Sequence, residues 1–255
     1  MRFACLGSGS RGNALVVEKD RTRLMLDCGY PVRETERRLA RLDLAPGDLA
    51  GIVITHEHSD HIAGACKFAR KHGLPLWLTH GTFKGLPDDG QEWPQINLID
   101  SHSLFAVGAL QLLPFPVPHD AREPAHFVFS DGVRRLGVLT DTGSSTSHIE
   151  AMLSGCHALV LECNHDLDML VNGDYPPALK ARVAGRYGHL DNRSSAALLA
   201  ALDTSLLQHL IAAHLSQHNN TPELARQALA QVLGCAPEWI GVADQDEGFG
   251  WRDIV

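Results

Sequence analysis

The sequence predicts an α/β sandwich in which two β-sheets pack face to face and helices cover their outer surfaces. Three short apolar segments, 2–6, 13–18 and 23–28, precede the first helical segment, so strict alternation of strand and helix fails at the start. Farther along, short runs rich in Val, Leu and Ile alternate with turn residues and helical stretches. Strands that pair first and are then covered by helices give this architecture. The chain has 255 residues, 44% of them hydrophobic, and can therefore bury a large core.

The individual elements follow from the hydrophobic period and from turn and capping residues. The first helix opens behind Pro31, and the last has Thr221 as N-cap and Pro222 at its first position. No gap between elements is long enough for a domain boundary, so residues 1–255 are predicted to form a single domain. The predicted strands are 2–6, 13–18, 23–28, 51–55, 75–79, 96–99, 110–117, 125–130, 135–140, 157–163 and 208–213. The predicted helices are 32–42, 61–72, 146–153, 176–187, 192–201 and 222–233.

Composition and charge narrow the class of protein. No run approaches the roughly 18 consecutive apolar residues of a membrane span, and the start MRFACLGSGSRGN is not typical of a signal peptide. The six cysteines form no C-x₂-C pair, which predicts reduced thiols in a cytoplasmic protein rather than a zinc ribbon or a disulfide framework. The formal net charge of −8 argues against wholesale attraction to nucleic acid or to an anionic membrane. The net charge does not exclude a local groove that binds a phosphate substrate.

A dense run of potential metal ligands follows the apolar strand GIVIT. Residues 56–61 read His-Glu-His-Ser-Asp-His and lead into a helical segment. In extended backbone the side chains of His56 and His58 point the same way, because side chains alternate with a period of two. Both could bind one metal ion, while Asp60 and His61, beyond the bend, serve a second. The alternative is a polar turn with chance histidines, and the density of the run argues against it.

The glycine-rich segment after the first strand, GSGSRG at 7–12, fits the G-x-G-x-x-G pattern of dinucleotide-binding proteins. That pattern requires a helix next, so that the helix N-terminus faces the pyrophosphate. The residues that follow, NALVVE, have the period of a strand. The segment is therefore predicted to be a turn between two paired strands that binds no dinucleotide. Ser8, Ser10 and Asn13 are candidates for the rim of a cleft.

The run HEHSDH resembles the H-x-H-x-D-H signature of the metallo-β-lactamase superfamily. Further segments match the family's other ligand positions in order, and the resemblance extends from about residue 2 to residue 220. It implies a four-layer αββα sandwich of the metallo-β-lactamase type, with a dinuclear metal site at one edge. It also makes Asp27 in LMLDCG the structural aspartate at the end of the third strand. The later metal ligands that the resemblance implies are His119 in PFPVPHD, Asp141 in LGVLTDTG and His214 in LIAAHLSQHNN.

The same resemblance implies how the ligands divide between two divalent ions. Nitrogen and carboxylate oxygen ligands without a thiolate suit Zn²⁺ and leave Mn²⁺ or Fe open. Two ions ~3.5–4 Å apart can lower the pKa of a bridging water to about 7 and clamp the attacking and leaving oxygens, which predicts hydrolysis by a metal-activated hydroxide. One ion would be held by His56, His58 and His119, the other by Asp60, His61 and His214, with Asp141 bridging.

Other segments resemble one branch of this superfamily. SGSRGNALVVE, residues 8–18, resembles the opening of the phosphodiesterase-type members, which include ribonuclease Z. LVLECNHD, YPPALKARVAGRYGHLDN and AHLSQHNN together resemble the WalJ (YycJ) branch of small cytosolic proteins, which are associated with DNA processing and described as exonucleases. Members of that branch often read GHLSN, where this chain has Asp191. An aspartate caps a helix as well as a serine does, but it adds a negative charge near any phosphate site.

Glu162, His165 and His189 are candidates for orienting the ligands or for general acid catalysis. Phosphodiester cleavage needs a proton for the leaving oxygen unless a metal stabilises it, and histidine titrates in the right range. His189 lies in a Gly-flanked turn before a helix, and Glu162 ends an apolar strand from which it could orient His189. The alternative is a buried polar pair that only holds two elements together. The predicted catalytic residues are Asp60, which is also an implied metal ligand, His189 and Glu162.

Two groups of basic residues could either contact phosphate or form a solvated helix face. The group around His189 consists of Lys180, Arg182, Arg186 and Arg193. The group that carries Glu34 and Glu36 between its members, and is typical of an exposed helix, consists of Arg33, Arg37, Arg38 and Arg41. The four Trp, three Tyr and eight Phe do not interleave with basic residues, so the sequence predicts neither a base-stacking platform nor sequence-specific readout.

Together these observations predict a cytoplasmic metal-dependent hydrolase, a phosphodiesterase or nuclease that acts as an exonuclease on DNA rather than RNA, without sequence specificity and without membrane attachment. A second hypothesis is a thioester, lactone or cyclic-phosphodiester hydrolase of the same fold, which binds small substrates and needs no basic rim. A third is a metal-bearing module that binds partners or regulates without catalysis. The sequence leaves the native metal, the polarity of cleavage and the oligomeric state open.

Overall fold

Two seven-stranded sheets face each other and helices cover their outer surfaces, so the predicted α/β sandwich is confirmed. The structure is a computed structural model that describes residues 1–255. In the first sheet the strand order is β14-β1-β2-β3-β4-β5-β6, and in the second it is β13-β12-β11-β10-β9-β8-β7. The strands of the first sheet are β1 (Arg2–Gly7), β2 (Ala14–Lys19), β3 (Thr22–Leu26), β4 (Gly51–Val53), β5 (Leu76–Thr79), β6 (Ile96–Ile99) and β14 (Phe249–Asp253). Those of the second are β7 (Phe105–Val107), β8 (Leu110–Pro116), β9 (Ala125–Ser130), β10 (Arg135–Leu139), β11 (Ala158–Glu162), β12 (His209–Ala213) and β13 (Gly241–Val242).

Each sheet has an antiparallel part and a parallel part. Strands β3 to β6 run parallel to one another, and so do strands β10 to β13. The remaining pairs, such as β1 with β2 and β8 with β9, are antiparallel. Parallel strands end at the same edge of a sheet, so the loops after them converge there. This topology brings segments that are distant in sequence to one edge of the sandwich.

The helices lie between or after the parallel strands. The N-cap of the last helix is confirmed, since Leu224 N–H donates to Thr221 Oγ1 at 3.3 Å and Pro222 opens the helix. None of these helices has the length and apolar character that crossing a membrane requires. The helices are α1 (Val32–Ala40), α2 (Ser59–Ile62), α3 (Ala65–His72), α4 (His80–Gly85), α5 (Ser147–Leu153), α6 (Leu167–Asn172), α7 (Pro177–Val183), α8 (Asn192–Ala201) and α9 (Pro222–Leu233), with 3₁₀ turns at Pro46–Asp48 and Pro237–Trp239.

Apolar side chains fill three layers. The central layer lies between the sheets and includes Phe3 and Leu24 of the first sheet together with Phe127 and Phe129 of the second, all fully buried. One outer layer packs the first sheet against α1 and α3, and the other packs the second sheet against α5, α8 and α9. Successive residues of a strand point to opposite faces of its sheet. Because both faces of each sheet are covered, both sets of residues contribute apolar side chains to a layer.

Several predicted boundaries and elements differ from the structure. The predicted helix 61–72 is two helices, because Gly64 N–H donates to the Cys28 carbonyl at 2.9 Å instead of continuing the helical ladder. The predicted helix 176–187 ends at Val183, before Gly185 and Gly188. The sequence analysis missed β7, β13, β14, α4 and α6, which are all six residues long or shorter and carry little periodic signal.

Two further predictions concern the first sheet. The glycine-rich segment 7–12 joins the antiparallel pair β1 and β2, so the predicted turn between paired strands is confirmed. The predicted exposed face of α1 is wrong for Arg38, whose guanidinium lies 3.9 Å from the centre of the Tyr30 ring and donates to the Leu6 carbonyl at 2.6 Å. Burial of this arginine ties α1 to β1, which the charge pattern alone could not show.

Candidate metal centre

The loops after the parallel strands meet at one edge of the sandwich, and the predicted ligands gather there. Asp27 follows β3, segment 56–61 follows β4 and includes the start of α2, and Asp141 follows β10. His119 lies just beyond β8, and His214 directly follows β12. The first sheet thus supplies part of the cluster and the second sheet the rest. All seven predicted ligands belong to groups whose donor atoms lie within 4.8 Å of one another.

The first group consists of His56, His58 and His119. His58 Nδ1 lies 3.2 Å from His119 Nε2, and the His56 ring centre is 4.6 Å from that of His58 and 4.9 Å from that of His119. His56 and His119 are buried, and His58 is half-buried. Three converging imidazole nitrogens are a typical ligand set for a first-row divalent metal.

The second group consists of Asp60, His61 and His214. Asp60 Oδ2 lies 3.5 Å from His61 Nε2 and 3.4 Å from His214 Nε2. His61 and His214 are buried, and Asp60 is partly exposed. This group differs from the first in that it contains a carboxylate, so it would compensate more of an ion's charge.

Asp141 lies between the two groups. Its Oδ2 is 3.2 Å from His61 Nε2, and its Oδ1 is 4.0 Å from His119 Nε2. The Oδ1 atom also lies 3.4 Å from His214 Nδ1 and 3.6 Å from His189 Nδ1. One carboxylate therefore reaches donors of both groups, which is the placement that a bridging ligand requires.

Each imidazole in the cluster has one ring nitrogen engaged by the protein. His61 Nδ1 donates to Asp27 Oδ2 at 2.8 Å, and His119 Nδ1 donates to the Gly188 carbonyl at 3.0 Å. His58 Nε2 donates to the Asp120 carbonyl at 3.2 Å. Such bonds fix the ring orientation and leave the lone pair of the other nitrogen pointing into the cluster.

His56 is linked to the Asp27 carboxylate through the Thr55 hydroxyl group. Its Nδ1 lies 3.0 Å from Thr55 Oγ1, and this hydroxyl donates to Asp27 Oδ2 at 2.9 Å. His56 Nε2 is buried and has no hydrogen-bond partner in the protein, and Asp141 Oδ2, although 3.2 Å from His61 Nε2, makes no hydrogen bond of good geometry. Buried polar atoms rarely lack a partner, and both of these face the cluster where a cation would supply one. The donor set therefore fits divalent metal ions.

Two of the clustered residues have left-handed backbone. Asp27 has φ of 61° and His214 has φ of 56°, a conformation that side chains other than glycine rarely adopt. Asp27 is held because its carboxylate accepts from Thr55 N–H at 2.8 Å. His214 is held at both ends, since its N–H donates to Ser8 Oγ at 3.0 Å and its carbonyl accepts from Asn164 Nδ2 at 3.0 Å. Strain of this kind persists only where surrounding contacts impose it, and it is common at functional sites.

Burial and mutual charge shift the pKa values in the cluster in opposite directions. Burial, reinforced by the other imidazoles, holds the pKa of His56 well below its usual range. Burial opposes protonation of His214 as well, but Asp141, Asp60 and Glu162 outweigh it and raise the pKa of His214 to about 10. Burial alone would raise the pKa of Asp141, whereas His214 and His61 hold it well below its ordinary value. The carboxylates are therefore ionised and able to act as ligands.

Glu162 and His189 form a pair beside this cluster. Glu162 is fully buried, and its Oε1 accepts from His189 Nδ1 at 2.7 Å. Its Oε2 accepts from the N–H groups of Thr142 at 3.0 Å and Leu190 at 3.1 Å. Burial raises the pKa of Glu162, but His189 and His214 outweigh this and lower it. The structure thus brings together the two residues that the sequence analysis paired.

The cluster opens into a cleft of about 340 Å³. Asp60 and His189 line it, as do Ser10 of the β1–β2 turn and Arg182 of α7. Arg182 Nε donates to Asp120 Oδ2 at 2.7 Å, and its side chain is 58% exposed, so it remains open to a second anion. A cleft with a metal-ligand cluster, a histidine held by a carboxylate and an arginine at its rim can hydrolyse an anionic ester.

The other predicted rim residues have different positions. Ser8 and Asn13 are buried rather than exposed at the rim, and Asn13 Nδ2 lies 3.1 Å from His61 Nε2. His165 is buried against Asn164, with 3.3 Å between its Nδ1 and Asn164 Oδ1, and it belongs to none of the ligand groups. Lys180 donates to the Val171 carbonyl at 2.6 Å and does not line the cleft.

Three residues that the sequence analysis did not select also shape the centre. The Asp120 carbonyl accepts from His58, and its carboxylate accepts from Arg182. Its position next to His119 is the sequence feature that could have identified it. His126 is fully buried, and its Nε2 lies 3.2 Å from the Asp141 carbonyl. Asn164 lines the cleft. Only the fold places His126, which lies on β9 outside every quoted motif, whereas Asn164 lies within the segment LVLECNHD.

The motifs GHLDN and AHLSQHNN meet through a pair of amides. Asn192 and Asn220 exchange two hydrogen bonds of 2.9 Å each, and Asn220 Nδ2 also donates to the Cys163 carbonyl at 2.7 Å. Asp191 is the N-cap of α8 and accepts from Arg193 N–H at 2.8 Å, as its capping propensity predicts. These bonds hold the loops that carry His189 and His214 next to each other.

Comparison with known proteins agrees with this architecture. A family model described as the beta-lactamase superfamily domain matches residues 22–214. The chain is 35% identical to the exodeoxyribonuclease YycJ of Bacillus anthracis over 98% of this chain and 91% of the relative. It is 30% identical to the exodeoxyribonuclease WalJ of Streptococcus pneumoniae serotype 2 (strain D39) over 94% of this chain and 91% of the relative.

A solved structure shows the same fold at lower identity. The metallo-beta-lactamase fold protein YhfI from Bacillus subtilis aligns with a TM-score of 0.74 and 16% identity, over 98% of each chain. At this identity the similarity concerns the arrangement of strands and helices.

Proposed function

This chain belongs to the beta-lactamase superfamily, in the branch that contains YycJ and WalJ, and from that premise we propose that it is a metal-dependent exonuclease acting on DNA. The observation that carries the proposal is the convergence of seven nitrogen and carboxylate donors on one cleft with the pair His189 and Glu162 beside them. The relatives are named as exodeoxyribonucleases, which supports DNA as the substrate.

Two divalent ions, Zn²⁺ or Mn²⁺, are proposed as the cofactors. Imidazole and carboxylate ligands suit both metals and do not exclude Fe. Bound ions would supply Lewis acidity, which activates water and offsets the charge that develops on the phosphate oxygens. The first ion would be held by His56, His58 and His119, the second by Asp60, His61 and His214, and Asp141 would contact both.

The residues of the chain supply orientation and proton transfer. The carboxylate of Asp60 faces the cleft, and His61 and His214 hold its pKa below the ordinary value against the effect of burial, so it stays ionised and can accept a hydrogen bond from the attacking water. Water attacks phosphorus and loses one proton to solvent as the new P–O bond forms, and the bond to the leaving oxygen breaks with its electron pair staying on that oxygen. His189 directs its free Nε2 away from Glu162, and in its doubly protonated form it is proposed to donate a proton from this atom to the leaving oxygen.

Glu162 is a positioning residue in this mechanism. Its four hydrogen bonds fix the carboxylate, and the carboxylate in turn fixes the tautomer and the ring orientation of His189.

The lining of the cleft favours a phosphodiester over an acyl substrate. Only four of its fourteen lining residues are hydrophobic, whereas an acyl chain requires a largely apolar pocket. A cyclic phosphodiester fits the polar lining and is the second candidate. The non-catalytic hypothesis is disfavoured by the presence of every predicted ligand together with the pair His189 and Glu162.

We also propose a cytoplasmic location. All six cysteines are unpaired, five of them buried, which is typical of proteins in a reducing compartment. We further propose that the protein does not attach to a membrane and that it cleaves DNA without recognising a particular sequence.

The test is cleavage of 5′-labelled single-stranded DNA, double-stranded DNA and matched RNA with added Mn²⁺ or Zn²⁺. A His58→Ala variant with an unchanged circular dichroism spectrum is the control. Degradation of DNA by the wild type and not by the variant would support the proposal, and the product ladder would give the polarity. If the wild type binds two ions but cuts no strand, the nuclease proposal is wrong, and thioesters and cyclic phosphodiesters should then be assayed.

A further inference from the structure

Tyr175 is the one Phe, Trp or Tyr that lines the cleft. It precedes α7 and is half-buried. Leu179 and Val183 of the same helix and Leu215 of the loop after β12 line the cleft with it. The cleft therefore has an apolar wall with one aromatic ring, while the remaining lining is polar and includes Asp60 and His58 of the ligand cluster.

The backbone around Tyr175 is restrained. Proline at position 176 confines Tyr175 to extended conformations, and Pro176 itself has φ of −55° and ψ of 147°. Pro177 opens α7 directly afterwards. On the other side, a Cβ at Gly173 would lie 2.7 Å from Asn219 Oδ1, so this segment packs tightly against the loop that follows His214.

The ring of Tyr175 also contacts that loop. Its centre lies 5.9 Å from the centre of the His218 ring, with 59° between the two planes. The contact supports one side of the Tyr175 ring, and the cleft adjoins it. An aromatic ring that is already ordered loses little conformational entropy when a ligand stacks on it.

The size of the cleft limits what can reach this ring. At about 340 Å³ it lies at the lower end of the roughly 300–1,000 Å³ that small-ligand sites span. It has room for about one nucleotide and none for a base pair inside a duplex. A nucleotide presents an apolar, aromatic base and a charged phosphate, which matches an apolar wall beside a metal-ligand cluster.

We propose that Tyr175 stacks on the nucleobase next to the scissile phosphate, so that the enzyme accepts one unpaired nucleotide at a strand end. The inference rests on the proposed function and specifies its substrate. Stacking on an aromatic side chain accepts any base, since every base has a π-face. Stacking on Tyr175 would therefore bind the base without sequence specificity. It differs from the sequence analysis, in which aromatic and basic residues did not interleave, because here the fold brings a lone tyrosine to the phosphate site.

The test measures the cleavage of three substrates by each of four proteins. The proteins are the wild type, Tyr175→Ala, Tyr175→Phe and the control Tyr187→Ala, which removes a ring that is 55% exposed and does not line the cleft. The substrates are a single-stranded oligonucleotide and two versions of it with an abasic nucleotide at the 5′ or the 3′ end. Circular dichroism, melting temperature and metal content establish that each variant is folded and loaded.

If Tyr175 stacks on the base, Tyr175→Ala should lower kcat/KM on the normal strand roughly tenfold, mainly through KM. Tyr175→Phe and Tyr187→Ala should remain within about twofold of the wild type, because both keep the ring that stacks. At the end where cleavage starts, an abasic nucleotide should slow the wild type as much as the alanine substitution does, and the two losses should not add.

Three results would overturn the inference. Equal cleavage of the normal strand by Tyr175→Ala and the wild type would show that the ring contributes nothing. A tenfold loss that persists undiminished on the abasic strand would show that Tyr175 acts through the local structure rather than the base. If the wild type cuts none of the DNA substrates, the proposed function fails first and this inference falls with it. Cleavage of DNA with either of the first two results overturns this inference alone.

Discussion

The Nδ1 atom of His189 lies 2.7 Å from Oε1 of the fully buried Glu162, and His189 still lines the cleft. A buried carboxylate that holds one nitrogen of a half-buried imidazole sets the direction of the other nitrogen. The same carboxylate oxygen lies 3.3 Å from His214 Nδ1. One glutamate therefore positions both a candidate proton donor and a candidate metal ligand.

Substitution of His189 by alanine should lower turnover of the DNA substrate by about 10²–10⁴-fold, the range of general acid–base catalysis, and leave metal content unchanged. The reason is that His189 is proposed to deliver a proton and is not among the proposed metal ligands. Turnover and metal content should be measured on the same preparation. His148→Ala, which removes an exposed imidazole from α5, is the matched control. Loss of bound metal or of folded structure in the His189 variant would contradict a role as proton donor.

Substitution of His56 by alanine should reduce bound metal from two ions per chain toward one. His56 Nε2 is buried and has no partner within the protein, so its binding energy goes to the metal alone. Elemental analysis after dialysis against Mn²⁺ or Zn²⁺ measures the change, with the exposed His80→Ala as control. In EDTA the free energy of unfolding of the variant should lie within about 1 kcal/mol of the wild-type value, because the substitution removes a buried nitrogen that has no partner. Metal content equal to that of the wild type would reject His56 as a ligand.

Asp131 should stabilise the protein in a manner that depends on pH. Burial would raise its pKa, but the N–H groups of Arg134 and Val133 and the Lys19 ammonium, 3.2 Å away, lower the pKa to about 2. The carboxyl group of an unfolded aspartate has a pKa of about 3.9. The stabilisation is therefore complete above pH ~4 and is lost as the pH falls toward 2. Asp131→Asn keeps an acceptor for the backbone and removes the charge.

This substitution should cost about 1–2 kcal/mol of unfolding free energy at pH 6 and less at pH 3. Urea unfolding of both proteins in EDTA at several pH values measures the difference. Working without metal keeps metal release at low pH out of the comparison. A difference that stays constant or grows between pH 5 and pH 3 would contradict the assignment.

We propose that residues 1–255 unfold as a single domain. The central apolar layer contains residues of both sheets, such as Phe3 and Phe129, so neither sheet can expose its inner face without the other. Tryptophan fluorescence and circular dichroism should follow one coincident transition in urea. Trp77 and Trp251 report on the first sheet and Trp239 on the end of the second. Two separated transitions would show that the sheets belong to independent units.

Part of the metal-ligand cluster could be predicted from a local signal, because residues 56–61 place four potential ligands within six positions after an apolar strand. The pairing of Glu162 with His189 was also accessible, since one ends a strand and the other lies in a turn. The positions of His119, Asp141 and His214 were predicted through the resemblance to the metallo-β-lactamase superfamily, because a single histidine or aspartate after a strand carries little signal by itself.

The remaining features depend on contacts between distant segments. Tyr175 reaches the cleft because Gly173 packs against Asn219, and nothing in the segment YPP itself indicates this contact. Strand β14 was missed because its stability comes from pairing with β1, at the opposite end of the chain. Arg38 is buried by Tyr30 and the Leu6 carbonyl rather than by its own helix. Periodicity describes a segment's faces but does not identify what covers them.

The division of the ligands between the two sheets has a consequence for the newly made protein. Segment 56–61 is synthesised early, whereas His214 follows β12, near the end of the chain. A polypeptide that is still emerging from the ribosome therefore contains half of a metal centre and none of the strand that completes it. Because Asp141 and His214 come from the second sheet, the proposed centre is complete only after that sheet has folded and docked onto the first.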